Sequence, residues 1–163
     1  MKKRIIALGL LWCLSAVMLQ AARVDTVLVR SAAMNKDVKV VYVLPDKAIG
    51  KQACPVVYLL HGYGGNARSW VQLKPELPQM ADEKGIIFVC PDGKNSWYWD
   101  SPENPAYRYE TFVTSELVKY TDGNYATIPD SKARAISGLS MGGHGALWSA
   151  IRHKDVFGAA GSM

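Results

Sequence analysis

An α/β fold built on a mostly parallel sheet is predicted by three observations in this 163-residue sequence. Two short, continuously apolar runs, at 55–60 and 86–91, have the character of strands buried on both faces of a parallel sheet. A β-branched hairpin precedes them. After it, strand candidates alternate with helical segments. Only turn residues separate these segments, with no repeat, low-complexity tract or linker, so a single domain is expected over 23–163.

Residues 24–30 and 38–44 are β-branched runs joined by a polar stretch around Ala33, Asn35, Lys36 and Asp37, which predicts an antiparallel hairpin. A loop is expected over 45–51. The run 55–60 ends abruptly at His61-Gly62 and predicts a central strand. Over 66–81 apolar and polar residues recur at mixed spacing, and Pro75 and Pro78 interrupt any single helix, so a broken helical segment is expected. The run 86–91 is the next buried strand, and 92–108 is a long polar and aromatic loop. Phe112, Val113, Glu116, Leu117 and Tyr120 fall on one stripe of an amphipathic helix over 109–122, closed by Gly123. Glu116, on that stripe, is expected to be a buried, hydrogen-bonded carboxylate with an architectural role. A short strand over 133–138, a helix over 142–153 and, from Phe157 to Met163, what reads as the next strand complete the pattern.

Ahead of the domain, Lys2, Lys3 and Arg4 precede a 15-residue apolar run over 5–19, followed by Gln20, Ala21, Ala22 and Arg23. A basic start, an apolar run too short for an ordinary membrane span and small residues beyond it predict a signal peptide over 1–22. Cleavage is expected after Ala21 or Ala22; an uncleaved anchor is the other reading of the same residues. Cys13 lies inside the apolar run, beside Trp12, and does not look like a lipid-attachment cysteine. The product is expected to be secreted or periplasmic, without stable membrane association once the leader is gone. Of the net charge of +5, three cations belong to the leader, and the +2 that remains carries no block of like charge. A nucleic-acid partner is therefore not expected.

Cys54 and Cys90 would ordinarily invite a disulfide in an oxidising compartment. One precedes a strand and the other ends its expected parallel neighbour, which separates them by about 16 Å at the strand rise. That is beyond disulfide reach, so two buried thiols are expected.

The chemistry-bearing motif is Gly138-Leu139-Ser140-Met141-Gly142, a G-x-S-x-G that follows a strand and opens a helix. A serine on so tight a turn leaves no room for a Cβ on its glycine neighbours. The helix behind it aims unpaired N–H groups at developing negative charge. His61-Gly62-Tyr63-Gly64-Gly65 follows the earlier central strand, where a second oxyanion donor is needed. Ser140 is thus the candidate nucleophile, with Met141 N–H and Tyr63 N–H as the candidate oxyanion hole. His61 is expected to fix the loop and not to act as a base. A competing dinucleotide fingerprint, Gly62-x-Gly64-x-x-Ala67 with Asp92 ending the next strand, leaves both the opening hairpin and the serine turn unexplained.

Leu59 to Gly65, Pro91-Asp92-Gly93, Asn95 to Tyr98, Tyr109 to Phe112, Glu116-Leu117 and Gly138 to Leu147, in that order, resemble one esterase family of the α/β-hydrolases. That family holds S-formylglutathione hydrolase, feruloyl and acetyl-xylan esterases and the mycolyltransferases. The resemblance runs from about Val38 to the last residue. It implies the α/β-hydrolase sheet, an acyl-enzyme on Ser140, no cofactor, and a triad acid and histidine that follow the serine in the chain. Only 23 residues follow Ser140. His144 stands in the first turn of the serine's own helix, His153 in its last, about 13 Å further on by helical rise, and Asp155 just beyond. None of the three is expected at Ser140. The chain is accordingly expected to stop before the fold is complete, by roughly a hundred residues, and to be poorly soluble alone.

Trp97, Tyr98, Trp99, Tyr107 and Tyr109 crowd the long loop at the strand ends, where ligands bind in open α/β sheets. Trp97, Tyr98, Trp99 and Asp100 are the candidate substrate contacts, with Arg108 as an alternative polar partner; rings that merely cover the sheet end are the plainer reading. No H-E-x-x-H or Walker loop occurs, so neither a metal nor a cofactor is expected. The expected function is hydrolysis of carboxylic esters, with acetyl or feruloyl groups on polysaccharides preferred over other small esters. The alternatives are acyl transfer to a sugar and a catalytically inactive fragment that at most binds carbohydrate.

Overall fold

A computed structural model describes residues 22–163. The leader expected over 1–22 lies, apart from Ala22, outside the described residues. Six strands form one mixed sheet in the order β1-β2-β4-β3-β5-β6. The hairpin of β1 (Arg23–Ser31) and β2 (Lys36–Leu44) is antiparallel, with Val27 opposite Val40. Residues 45–51, expected as a loop, contain one helical turn, α1 (Asp46–Ile49), entered from Pro45. Then come β3 (Val56–Leu60), two short helices α2 (Ser69–Leu73) and α3 (Leu77–Lys84), and β4 (Ile87–Pro91). Pro78 sits in the first turn of α3, where its missing N–H costs nothing, and Gly85 ends that helix at φ 64°. β3 and β4 are parallel neighbours, Val56 opposite Ile87, so Cys54 and Cys90 lie at opposite ends and remain free, buried thiols. Burial pushes the Cys90 thiol up to about 12.

The expected helix over 109–122 is present but interrupted. It runs as α4 (Tyr109–Thr111), a π turn (Phe112–Glu116) and α5 (Leu117–Asn124), passing Gly123 without a break. Thr114 returns its hydroxyl to the Glu110 carbonyl, 2.8 Å, inside the stretch where the helical ladder widens. The extra residue of the π turn buries Phe112, Val113 and Thr114 in succession. Glu116 is half-buried and accepts from Ser31 Oγ (2.6 Å) and Ala33 N–H (2.8 Å), so it ties this helix to the hairpin's turn. A 3₁₀ turn (Ser131–Ala133) leads into β5 (Arg134–Gly138), α6 (Met141–Arg152) and the edge strand β6 (Ala159–Ser162).

Strand alternation sorts the core onto two faces. Val40, Tyr42, Val56, Tyr58, Leu60, Val89 and Ile136 meet Phe112, Leu117, Met141 and Ala146 on one side. Val41, Val43, Leu59, Phe88 and Cys90 meet Ala67, Trp70, Leu77 and Ala81 on the other. Covering a parallel sheet on both faces satisfies its near-continuous apolar strands. It also leaves the strand ends as the place where polar chemistry is affordable. Of the described helices, none is long and apolar enough to cross a membrane.

Candidate active site

Ser140 stands between β5 and α6 with φ 54° and ψ −115°, a backbone conformation that L side chains rarely adopt. The turn is held by Ser140 N–H on the Met163 carbonyl (2.7 Å), Gly142 N–H on the Leu139 carbonyl (2.8 Å) and His144 N–H on the Ser140 carbonyl (3.0 Å). Its glycines are dictated by space. A Cβ on Gly138 would lie 2.3 Å from the Gly142 backbone, and one on Gly142 only 2.2 Å from the Leu60 carbonyl oxygen. The start of α6 is thus pressed onto the end of β3, and Ser140 is pushed out, exposed.

The loop that follows β3 meets this turn directly. A Cβ on Gly62 would be 3.3 Å from the Leu139 carbonyl and 3.7 Å from Ser140 Cβ. Met141 N–H, the first amide of α6, and Tyr63 N–H find no acceptor among the described residues. Neighbouring groups fix the loop around them. Gly64 N–H donates to Asn95 Oδ1 (2.8 Å), Gly65 N–H to the Gly62 carbonyl (3.0 Å), and Trp70 Nε1–H to the Leu60 carbonyl (3.0 Å).

His61 is buried and makes two bonds that assign its tautomer: Nε2 accepts from Gly93 N–H (2.9 Å) and Nδ1–H donates to the Gly62 carbonyl (2.7 Å). It therefore clamps the loop, in keeping with the expectation. Asp92 Oδ1, 3.7 Å from Nε2, is a neighbour of the ring and not its hydrogen-bond partner; the carboxylate takes Lys94 N–H (3.0 Å) and Nζ (2.8 Å) instead. Burial raises the Asp92 carboxyl, but the hydrogen bonds and charge of Lys94 outweigh it and hold the group well below the usual carboxylate range.

The aromatic loop departs from its expected role at one position. Trp97 and Tyr98 both have positive φ, 56° and 57°. This reverses the expected outward array: Tyr98 turns inward, fully buried, while Trp97 and Trp99 stay about half exposed. Tyr98 is a support and not a ligand contact. Its hydroxyl accepts from His61 N–H (3.0 Å), and its ring occupies the space that a Cβ on Gly93 (2.2 Å) or Gly145 (2.7 Å) would need. Asp100 takes Thr111 N–H (3.0 Å) and Thr111 Oγ1–H (2.5 Å) at the start of α4, so each carboxylate oxygen is engaged in capping. Arg108 precedes that helix directly.

His144, one turn beyond Ser140, packs edge-on against Trp97 and face to face with Trp148, with Nδ1 3.2 Å from the Trp97 carbonyl. Trp97, Trp99 and His144 line an apolar pocket of about 240 Å³. His153 is spent elsewhere: its Nε2 lies 2.8 Å from Glu110 Oε1, which also accepts from Arg152 Nε, while Glu110 Oε2 accepts from Trp148 Nε1. This cluster, which the sequence pattern did not single out, ties the far end of α6 to α4. Asp155 lies exposed beyond it. Ser140 Oγ makes no hydrogen bond among the described residues, and no group of three metal-ligating side chains occurs among them.

The family described as "Putative esterase" matches residues 31–163. An acetyl esterase of Caldicellulosiruptor saccharolyticus is 29% identical over 136 residues, 78% of this chain and 50% of that protein. The diacylglycerol acyltransferase/mycolyltransferase Ag85A of Mycobacterium gordonae is 33% identical over 150 residues, 86% of this chain and 42% of its own length. Among solved structures, a ferulic acid esterase superposes with a TM-score of 0.74 at 30% identity, covering 86% of this chain and 59% of that one. The chain spans about half the length of the relatives it matches.

Proposed function

Because the chain belongs to this esterase family, we propose that it is the nucleophile-bearing part of a serine carboxylesterase, with Ser140 as the residue acylated. The observation that carries the reading is the conformation of Ser140: a non-glycine residue at φ 54°, exposed at the head of α6, beside two backbone N–H groups with no acceptor among the described residues. Strain of this kind persists only where the surroundings enforce it, and here Gly138, Gly142 and Gly62 do so. In the reaction Ser140 Oγ adds to an ester carbonyl. Met141 N–H and Tyr63 N–H receive the negative charge that develops on the carbonyl oxygen. The alcohol departs as the tetrahedral adduct collapses, and water then releases the acid.

No base for the serine proton is assigned among the described residues: His61 clamps the loop, His144 is packed between Trp97 and Trp148, and His153 lies against Glu110. Acetyl or aryl acyl groups on polysaccharides are the preferred substrates, supported by the relatives' names and by the exposed Trp97 and Trp99 beside the serine turn. Acyl transfer to an alcohol in place of water is the second reading, favoured by the mycolyltransferase relative. Export belongs to the same proposal. Cleavage after Ala21 would leave the new α-ammonium of Ala22 on Asp82 Oδ2, since Ala22 N stands 2.6 Å from that oxygen.

A fluorophosphonate probe followed by intact-mass measurement tests the assignment, applied to the protein as its natural source makes it and so together with whatever supplies the base. One adduct, lost in Ser140→Ala, is expected. A fully folded protein that takes no adduct, or an adduct that survives the substitution, rejects Ser140 as the nucleophile.

A further inference from the structure

Tyr63 N–H, the candidate oxyanion donor on the β3 side of the serine turn, belongs to the peptide that joins residues 62 and 63. That peptide is trans, so its N–H and the Gly62 carbonyl point in opposite directions across one rigid plane. Whatever holds the carbonyl therefore sets the aim of the N–H. Two donors hold it: His61 Nδ1–H at 2.7 Å and Gly65 N–H at 3.0 Å. The peptide on the other side of Tyr63 is tied through Gly64 N–H on Asn95 Oδ1 (2.8 Å), while the Tyr63 side chain stands out in solvent.

Among these bonds, the one from His61 is enforced from outside the loop. The imidazole is only 1% exposed, and Gly93 N–H, donating to Nε2 (2.9 Å), obliges Nδ1 to carry the proton of the neutral ring. Tyr98 stands edge-on to that ring, 5.7 Å between centroids, and its hydroxyl accepts from His61 N–H (3.0 Å). Space around the bond is filled: a Cβ on Gly65 would lie 2.8 Å from Nδ1 and 3.0 Å from the Gly62 carbonyl oxygen. Besides fixing direction, donation to a peptide carbonyl polarises that peptide and strengthens the N–H at its other end.

We infer that His61 is a positioning residue for the reaction at Ser140: its Nδ1–H, acting through the Gly62 carbonyl, aims and strengthens the Tyr63 N–H that receives the oxyanion. It neither touches the ester nor moves a proton. The inference rests on the esterase reading. It makes one bond of His61 matter to the reaction and the other only to the loop, and substitution can separate the two. Asn carries an NH₂ group close to where the imidazole holds Nδ1, so it keeps the donor to the Gly62 carbonyl. Gln reaches the position of Nε2 with its amide oxygen, so it keeps the acceptor for Gly93 N–H and loses that donor.

The test is inactivation by a fluorophosphonate, whose phosphoryl oxygen takes the oxyanion's place, in the protein as its natural source makes it. The limiting rate and the half-saturating concentration are read separately. His61→Gln is expected to lower the limiting rate about tenfold or more, part of the roughly 10²–10³ that a whole oxyanion donor carries, at unchanged half-saturation. His61→Asn should recover about fivefold or more of that loss. Gly65→Ala crowds the same bond while leaving His61 in place; it should lower the limiting rate about fivefold, and it decides the matter if either substitution at 61 prevents folding. Equal rates in the Asn and Gln variants, an unimpaired Gly65→Ala, or losses confined to half-saturation overturn the inference and leave the esterase reading standing. A folded parent that takes no adduct removes the esterase reading, and the inference with it.

Discussion

Ser140 is held in a backbone region that glycine enters freely and serine does not. Replacing it with glycine should therefore do two opposite things. Ser140→Gly is expected to stabilise the fold by about 1–2 kcal/mol, the usual cost of one such residue, visible as a higher urea midpoint at unchanged m-value. The same variant should take no fluorophosphonate. A midpoint equal to or below that of the parent would show that the turn stores no strain. The position of this serine was legible because G-x-S-x-G is a steric pattern as much as a chemical one: its glycines mark where Cβ atoms would strike β3 and the helix start. The inward turn of Tyr98 was not legible. Composition marks 97–99 as three rings in a row, but which ring faces in depends on consecutive positive φ values at Trp97 and Tyr98 that no residue type there favours.

At the level of elements, the far end of α6 is anchored by Glu110. Burial raises this carboxyl, yet the hydrogen bonds from Arg152, Trp148 and His153 outweigh burial and leave it lowered from its ordinary value. A carboxyl lowered in the native state gives stability that is complete above its unfolded pKa of about 4.3 and is lost as pH falls through the lower native value. Glu110→Gln should accordingly flatten the acid limb of the stability–pH curve below about pH 5 and lower stability near pH 7 by about 2 kcal/mol, the order of lost charged hydrogen bonds. Urea titrations from pH 3 to 7 would check both; parallel curves for parent and variant would remove Glu110 as the anchor. Strands and hairpin were readable from periodicity alone, since apolar runs and β-branched alternation need no tertiary information. The π turn was not, because nothing in an otherwise regular amphipathic stripe marks where the ladder takes in one more residue; the Thr114 hydroxyl bond to the Glu110 carbonyl found there recurs at Thr121 within the regular α5.

Taken whole, the described chain presents an unbalanced surface. Leu147 and Ile151 are exposed on one face of α6, Ile151 at 67%, and β6 pairs only with β5 among the described strands. An open strand edge beside exposed apolar side chains promotes association. Residues 22–163 in isolation should sediment with concentration-dependent mass, and the double substitution Leu147→Glu and Ile151→Lys should reduce it; a concentration-independent monomer would contradict this. The α/β class could be read from the order of runs, whereas the strand sequence 1-2-4-3-5-6 is set by which faces the helices cover, a property of the packed chain and not of any one segment.

Tyr98 has a consequence of a different kind. One phenol ring spans the gaps left by two glycines on separate segments and touches the backbone of a third. The surrounding loop can then be treated as a replaceable cartridge. Recognition could diverge at Trp97 and Trp99 while the alignment of the reacting groups is inherited unchanged, provided that the latch at Tyr98, Gly93 and Gly145 is kept.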